Sequence, residues 1–215
     1  MIVFLAINLT LPIRASVPLQ PLYQGEKTQK ETIYFTFNVL WEKEPVEDVW
    51  KILEDSQIKG LFFATGEWIE GNTELAQKIV LSGHSFGNHT YSHRRLPNLT
   101  EDDIIDEIQG FNQVCHERLK YQPTFFRPPY GEYNARIISL AHEHGCITLL
   151  WDINALMLSN YESELILSRL EERLHDGAVI LFHTSAPLIG ESLPHIINFL
   201  QWKGYRIGSP DEIIG

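Results

Sequence analysis

A chain of 215 residues can bury one substantial core and is short for two. Its 44% apolar and 21% charged content is that of an ordinary soluble globular protein, and 28 acidic against 17 basic residues leave a net charge of −11. That balance argues against a nucleic-acid partner, which is gripped by clustered Lys and Arg, and against docking on an anionic membrane through a basic patch. An uncharged glycan is not repelled.

In chain order, residues 1–16 (MIVFLAINLTLPIRAS) are apolar, lack a positive stretch ahead of the apolar run and are too short to span a bilayer. They read as the remnant of a signal peptide or membrane anchor with Ala15-Ser16 as a small-residue exit, or else as a first strand or an arm packed on the domain. Residues 17–30 contain Pro18 and Pro21 and little periodicity. They read as a tether, so the folded domain is expected over 32–215. Thr32–Phe37 is strand-like, and Val46, Val49, Trp50 and Leu53 share one helical face. A second strand is expected over 60–64, a helix over 72–82 stopping at Gly83, and a short strand leading into His89. The clearest helix spans 101–119, with Thr100 as N-cap, three acids in its first turn and an apolar stripe of Ile104, Ile108, Phe111, Cys115 and Leu119. A strand at 124–127, a helix at 133–144, a buried strand at 146–151, a helix at 160–174, a strand at 178–183, a helix at 190–202 and a strand at 205–208 follow, with Ser209-Pro210 capping a last turn. Alternating units of this length imply an α/β fold of about seven parallel strands joined by crossovers, closed or nearly closed into a barrel. Cys115 and Cys146 are too few for a disulfide framework and are expected as buried free thiols, a single bridge being the alternative.

The chemistry concentrates in Gly87-Asn88-His89-Thr90-Tyr91-Ser92-His93. Two imidazoles four residues apart at a strand end can meet one divalent ion, although such pairs also arise by chance. The segment is not the HExxH of zinc proteases, because Thr90 stands where that motif has its glutamate. NHTYSH nonetheless resembles the second motif of the polysaccharide deacetylases (NodB homology, carbohydrate esterase family 4). The stretch from Phe62 to those histidines is similar to the family's run from its second strand. FFRPPYGEYN resembles the third motif and AVILFH the fifth, in the family's order, so that the likeness covers roughly residues 32–213.

The resemblance implies a distorted (β/α) barrel with its site at the carboxyl ends of the strands. It implies a divalent metal, zinc above all, and hydrolysis of the acetamide of N-acetylglucosamine units in a polysaccharide. On this chain it assigns the metal to His89 and His93, the general acid to His183, the arginine that orients the base to Arg127, and the oxyanion-hole N–H to Tyr130. Leu181 is implied to line the acetyl pocket, and Trp151, with Trp41 and Tyr130, to flank a sugar groove or simply to pack. The first motif departs from the family. Asn38 stands where the catalytic aspartate is expected and Val39 where the metal-binding aspartate is expected, so a weakened metal site follows. Glu42 is the nearest acid in sequence. The fourth motif departs too: Met157-Leu158 replaces its acid–Trp pair, and Asp152 has the wrong strand parity to substitute. Without that acid, His183 is expected near pKa 6.5. The implied protein is a monomer exported to a bacterial cell wall, either a weak peptidoglycan deacetylase or an inactive relative that binds glycan or a cell-wall partner.

Overall fold

A computed structural model describes residues 20–28, 30–40, 45–155, 167–168, 170–186 and 188–215. Its central strand β1 (Thr32–Val39) is buried along its whole length. Alternation splits that strand between two environments. Ile33, Phe35, Phe37 and Val39 enter the cluster beneath the helices, whereas Tyr34 joins Leu61, Phe63, Leu149 and Val179 inside the curl of the sheet. Thr36 and Asn38 share Tyr34's parity and face the interior.

β2 (Leu61–Ala64), β3 (Ser85–Asn88), β4 (Phe125–Phe126), β5 (Ile147–Thr148), β6 (Ile153–Asn154) and β7 (Ala178–His183) complete a row in the order β5-β4-β3-β2-β1-β7-β6, while β8 (Arg206–Gly208) pairs with the foot of β1. Every pairing is parallel, and the sheet curls into a distorted half-barrel. The helices are α1 (Val46–Asp55), α2 (Gly66–Gly71), α3 (Thr73–Leu81), α4 (Glu101–Val114), α5 (Ala135–Glu143) and α6 (Ile189–Trp202). Aromatic packing ties neighbouring strands together on the face beneath the helices: Phe37 of β1 stacks on Phe62 of β2 and Phe182 of β7 at ring separations of 5.0 and 5.3 Å.

Several local expectations are met and others are corrected. Thr100 caps α4 by accepting from Asp103 N, and Ser209 with Glu212 forms a capping box on the last turn. The helix expected over 101–119 changes at Cys115 to a π turn that ends at left-handed Lys120. α2 was not foreseen, since six residues carry too little periodicity to declare themselves. The strand expected over 146–151 narrows to β5, and the chain re-enters the sheet as β6 on the other side. The segment read as a tether is in fact docked: Leu22 N donates to Thr148 O at 2.9 Å, Leu150 N donates to Leu22 O at 2.8 Å, and Gly25 N donates to Gly177 O at 2.8 Å. This arm supplies hydrogen bonds to the exposed edge of β5 and to the start of β7. Both cysteines are buried free thiols, with desolvation pushing Cys146 up to about 12 and Cys115 higher still. Most of the expected helix 160–174, together with Trp41, Glu42, Met157 and Leu158, lies outside the described residues. No helix among the described residues is long and apolar enough to cross a membrane.

One buried histidine far from the strand ends makes stability depend on acid. His84 Nδ1 accepts from Gly60 N at 3.0 Å and Nε2 lies 3.0 Å from Glu54 Oε1, so the neutral ring is the one the fold requires. Burial lowers its pKa, against the pull of Glu54. Near pH 7.5 neither the folded nor the unfolded chain protonates this ring. Below about 6.5 the unfolded chain gains a proton that the folded chain refuses, and stability falls by up to about 1.4 kcal/mol per pH unit. Urea unfolding at pH 7.5, 6.5 and 5.5 should therefore show a shallower acid loss in His84→Gln than in the wild type. Equal slopes would remove His84 from the account.

Candidate active site

The parallel register gathers the strand ends. Asn38 pairs with His183 across β1 and β7 and with Phe63 across β1 and β2. His89 N donates to Ala64 O and Arg127 N donates to Asn88 O, bringing the residues just beyond β3 and β4 to the same level. Thr184 fastens the β7 end by donating both N and Oγ1 to Asn38 O at 3.1 Å. Asn38, His89, Arg127 and His183 thus ring one end of the half-barrel.

Arg127 is fully buried at the centre of this ring. Its Nε donates to Leu149 O at 3.1 Å, Nη2 to Leu150 O at 2.8 Å and Thr36 Oγ1 at 3.0 Å, and Nη1 to Asn38 Oδ1 at 3.1 Å. The guanidinium lies 3.9 Å from the Phe63 ring centroid and 5.4 Å from that of Trp151. Phe63 can lie there because β3 has glycine beside it; a Cβ on Gly87 would come within 2.4 Å of that ring. All four acceptors are neutral. Desolvation accordingly pulls the guanidinium well below its ordinary pKa.

The two imidazoles lie side by side beyond β3. His89 Nδ1 lies 2.7 Å from Arg127 O, which requires that nitrogen to carry the proton and leaves a lone pair on Nε2. That Nε2 is buried with no partner. His93 lies beside it, ring centroids 4.9 Å apart. Burial lowers both pKa values, that of His89 strongly, so both rings are neutral near pH 7. The pair fits two positions of a divalent ion. No set of three His, Cys, Asp or Glu converges among the described residues, and Val39 cannot supply a third ligand because it is buried in the apolar cluster beneath the helices.

His183 departs from its expected pKa of 6.5. Burial, then Arg127, then His93 push it down to about 4, with Nδ1 unpartnered. Protonation at pH 7 is then on the order of one molecule in a thousand, and the ring is a poor proton donor for a stronger reason than a missing carboxylate. Asp152 offers no help: its Oδ1 accepts at 2.9 Å from Val179 N, four residues before His183 on β7, and its Oδ2 lies 2.6 Å from His175 Nε2, ahead of that strand.

Outward from the ring opens a cleft of about 360 Å³ lined by Leu40, Thr65, Glu67, Trp68, Ser92, His93 and Tyr130. Tyr130, 55% exposed, has its ring 4.8 Å from that of His93 and beneath the Arg95 guanidinium at 4.0 Å. Leu181 is buried, and Trp151 is half-buried against Gly131 rather than on the cleft wall. Thr90, His93 and Tyr130 all have positive φ (69°, 61° and 61°), a strain of about 1–3 kcal/mol each that surrounding hydrogen bonds must hold. Sequence reading missed Glu67 and Glu107. The second carried a signal, a charge set between Ile104 and Ile108 in the buried stripe of α4.

A curled parallel half-barrel with two histidines beyond β3, an arginine beyond β4 and a histidine closing β7 defines the class: a carbohydrate-esterase barrel. Residues 25–148 match the description "Polysaccharide deacetylase", and the chain belongs to that family. It is 31% identical over 199 residues to the uncharacterized protein YlxY of Bacillus subtilis, covering 93% of this chain and 62% of that protein. The chain thus spans less than two thirds of that relative. Peptidoglycan-N-acetylmuramic acid deacetylase PdaA of B. subtilis is 27% identical over 191 residues, 87% of this chain and 73% of PdaA. Among solved structures, wild-type BA3943, described as a CE4 family pseudoenzyme from Bacillus anthracis, superposes with a TM-score of 0.84 at 27% identity over 92% of this chain and 70% of that one. A BA3943 mutant is described as having restored enzymatic activity.

Proposed function

We propose that this protein recognises N-acetylglucosamine units of bacterial cell-wall glycan, peptidoglycan above all, outside the cytoplasm, and hydrolyses their acetamides weakly or not at all. The observation that carries the reading is Asn38 Oδ1 on Arg127 Nη1. An amide occupies the position of the general base with its geometry intact and its basicity gone. Loss of such a base costs about 10²–10⁴-fold. His183, pulled down to about 4, removes the proton donor as well.

Residual hydrolysis has one observation of its own in its favour, the buried, unpartnered lone pair of His89 Nε2 beside His93. His89 and His93 would hold the ion, and zinc suits two imidazoles; bound there, it would polarise a carbonyl. The likeness of YlxY and PdaA to this chain and the description of BA3943 as a pseudoenzyme support a family member with a reduced site.

The test pairs isothermal titration of N-acetylglucosamine tetramer and pentamer with an acetate-release assay on the same wild-type protein. Binding with acetate release near background is expected. Absence of binding would end the glycan reading. Rapid release by the wild type would mean that another group serves as base.

A further inference from the structure

The turn that carries His93 is tied to α2 by Gly66 N on Thr90 O and Glu67 N on Tyr91 O, both at 3.1 Å, and to α4 by one buried acid. Glu107, on the inner face of α4, is the only carboxylate among the buried polar residues described. Its Oε2 accepts from Ser92 N at 2.8 Å and its Oε1 from Ser92 Oγ at 2.5 Å, while its backbone O accepts from Tyr91 N at 2.9 Å. Arg94, on the exposed side, approaches Oε1 only to 4.0 Å. A buried carboxylate costs several kcal/mol unless its oxygens are satisfied. Glu107 meets that demand with the two donors of the residue next to His93. The strained turn, with Thr90 and His93 both left-handed, is therefore held in place by the protein itself.

The acid contributes charge as well as bonds. The ring of Asn38, His89, Arg127 and His183 contains no carboxylate, and Glu67 stands exposed on the outer cleft. Glu107 is the buried carboxylate on the His93 side, with its oxygens held by Ser92 N and Oγ.

We propose that Glu107 is the positioning residue of the imidazole pair: through Ser92 it fixes the orientation of His93, and its charge strengthens the hold of His89 and His93 on a divalent cation. The inference rests on the reading of those two histidines as the cation-holding pair. A group hydrogen-bonded behind a metal ligand commonly changes affinity by about 10–100-fold.

The test is titration of the full chain with Zn²⁺ and, for a spectroscopic signature, with Co²⁺. Glu107→Gln keeps the shape and an acceptor for Ser92 while removing the charge. It is expected to bind Zn²⁺ at least tenfold more weakly and to alter the visible Co²⁺ spectrum, with melting temperature little changed. Ser92→Ala keeps the charge and the backbone bond, and is expected to lose less affinity than Glu107→Gln. It also serves as the second variant if Glu107→Gln fails to fold: affinity equal to wild type would then overturn the proposal. Zn²⁺ affinity unchanged in Glu107→Gln overturns it, as does a wild type that binds no Zn²⁺. That last outcome leaves recognition of glycan standing or falling on its own titration.

Discussion

Asn38→Asp is expected to raise acetate release from N-acetylglucosamine oligomers at least tenfold at saturating zinc, and to raise the melting temperature of the same protein by a few degrees. The two effects have one cause. Asn38 Oδ1 already accepts from Arg127 Nη1 at 3.1 Å, so a carboxylate of the same shape enters the existing geometry. It brings a base where the amide has none, and a tenfold gain claims less than the roughly 10²–10⁴-fold that a general base supplies, because Val39 still provides no ligand. It also brings a counter-charge to a guanidinium that now meets four neutral acceptors. A charge-assisted bond contributes about 1.5–3 kcal/mol before the cost of burying the carboxylate is subtracted. At about 2–4 °C per kcal/mol for a domain of this size, what remains is a measurable shift. Calorimetry and the assay separate the outcomes. Higher melting without acetate would mean that the introduced carboxylate is seated correctly and that Val39 and the fourth motif are the decisive losses. Lower melting would mean that Arg127 does not carry an unmatched charge. Adding Val39→Asp works against stability, since Val39 is fully buried beside Phe37 in the apolar cluster.

Sequence legibility followed element length and burial pattern. β1 and β7 were readable because six to eight mostly apolar residues bounded by polar ones leave few alternatives, and α4 because its cap, acids and stripe agree. The histidines, Arg127 and Asn38 were readable as a site because four ordered segments resembled one family, and the parallel register then placed them together. β6 could not be read: two residues have no period, and its partnership with β7 is a long-range choice. The arm at Leu22–Gly25 looked like a tether because its pairing donors and acceptors belong to β5 and to Gly177, more than a hundred residues away. The depressed pKa of His183 is not legible in the sequence, where only the missing carboxylate shows. Burial and the nearby Arg127 charge, both products of packing, dominate it. Glu107 is one of several acids in α4, and only its place inside the buried stripe sets it apart.

Arg127→Met is expected to cost about 4 kcal/mol or more and to lower melting by roughly 8 °C or beyond, enough to threaten folding in a domain of ordinary stability. Two effects oppose each other at this position. Removing an unmatched buried cation relieves its desolvation, and replacing whole buried ionic groups by apolar ones can stabilise a protein. Such replacements, however, exchange every partner at once. Here Leu149 O, Leu150 O, Thr36 Oγ1 and Asn38 Oδ1 would each lose a donor while still facing the interior. At about 2 kcal/mol for each stranded acceptor, the middle of a range of about 1–3, the four losses sum to about 8 kcal/mol, and a few kcal/mol of relief leaves the net cost given above; the contact with Phe63 at 3.9 Å is lost in addition. Arg127→Lys should fall between, since one ammonium keeps the charge but cannot span acceptors on β1 and beyond β5 as the planar fork does. Melting of Arg127→Met within about 2 °C of wild type would reverse the conclusion: the guanidinium would then be a burden on the fold, and its place among the strand ends would belong to the site alone.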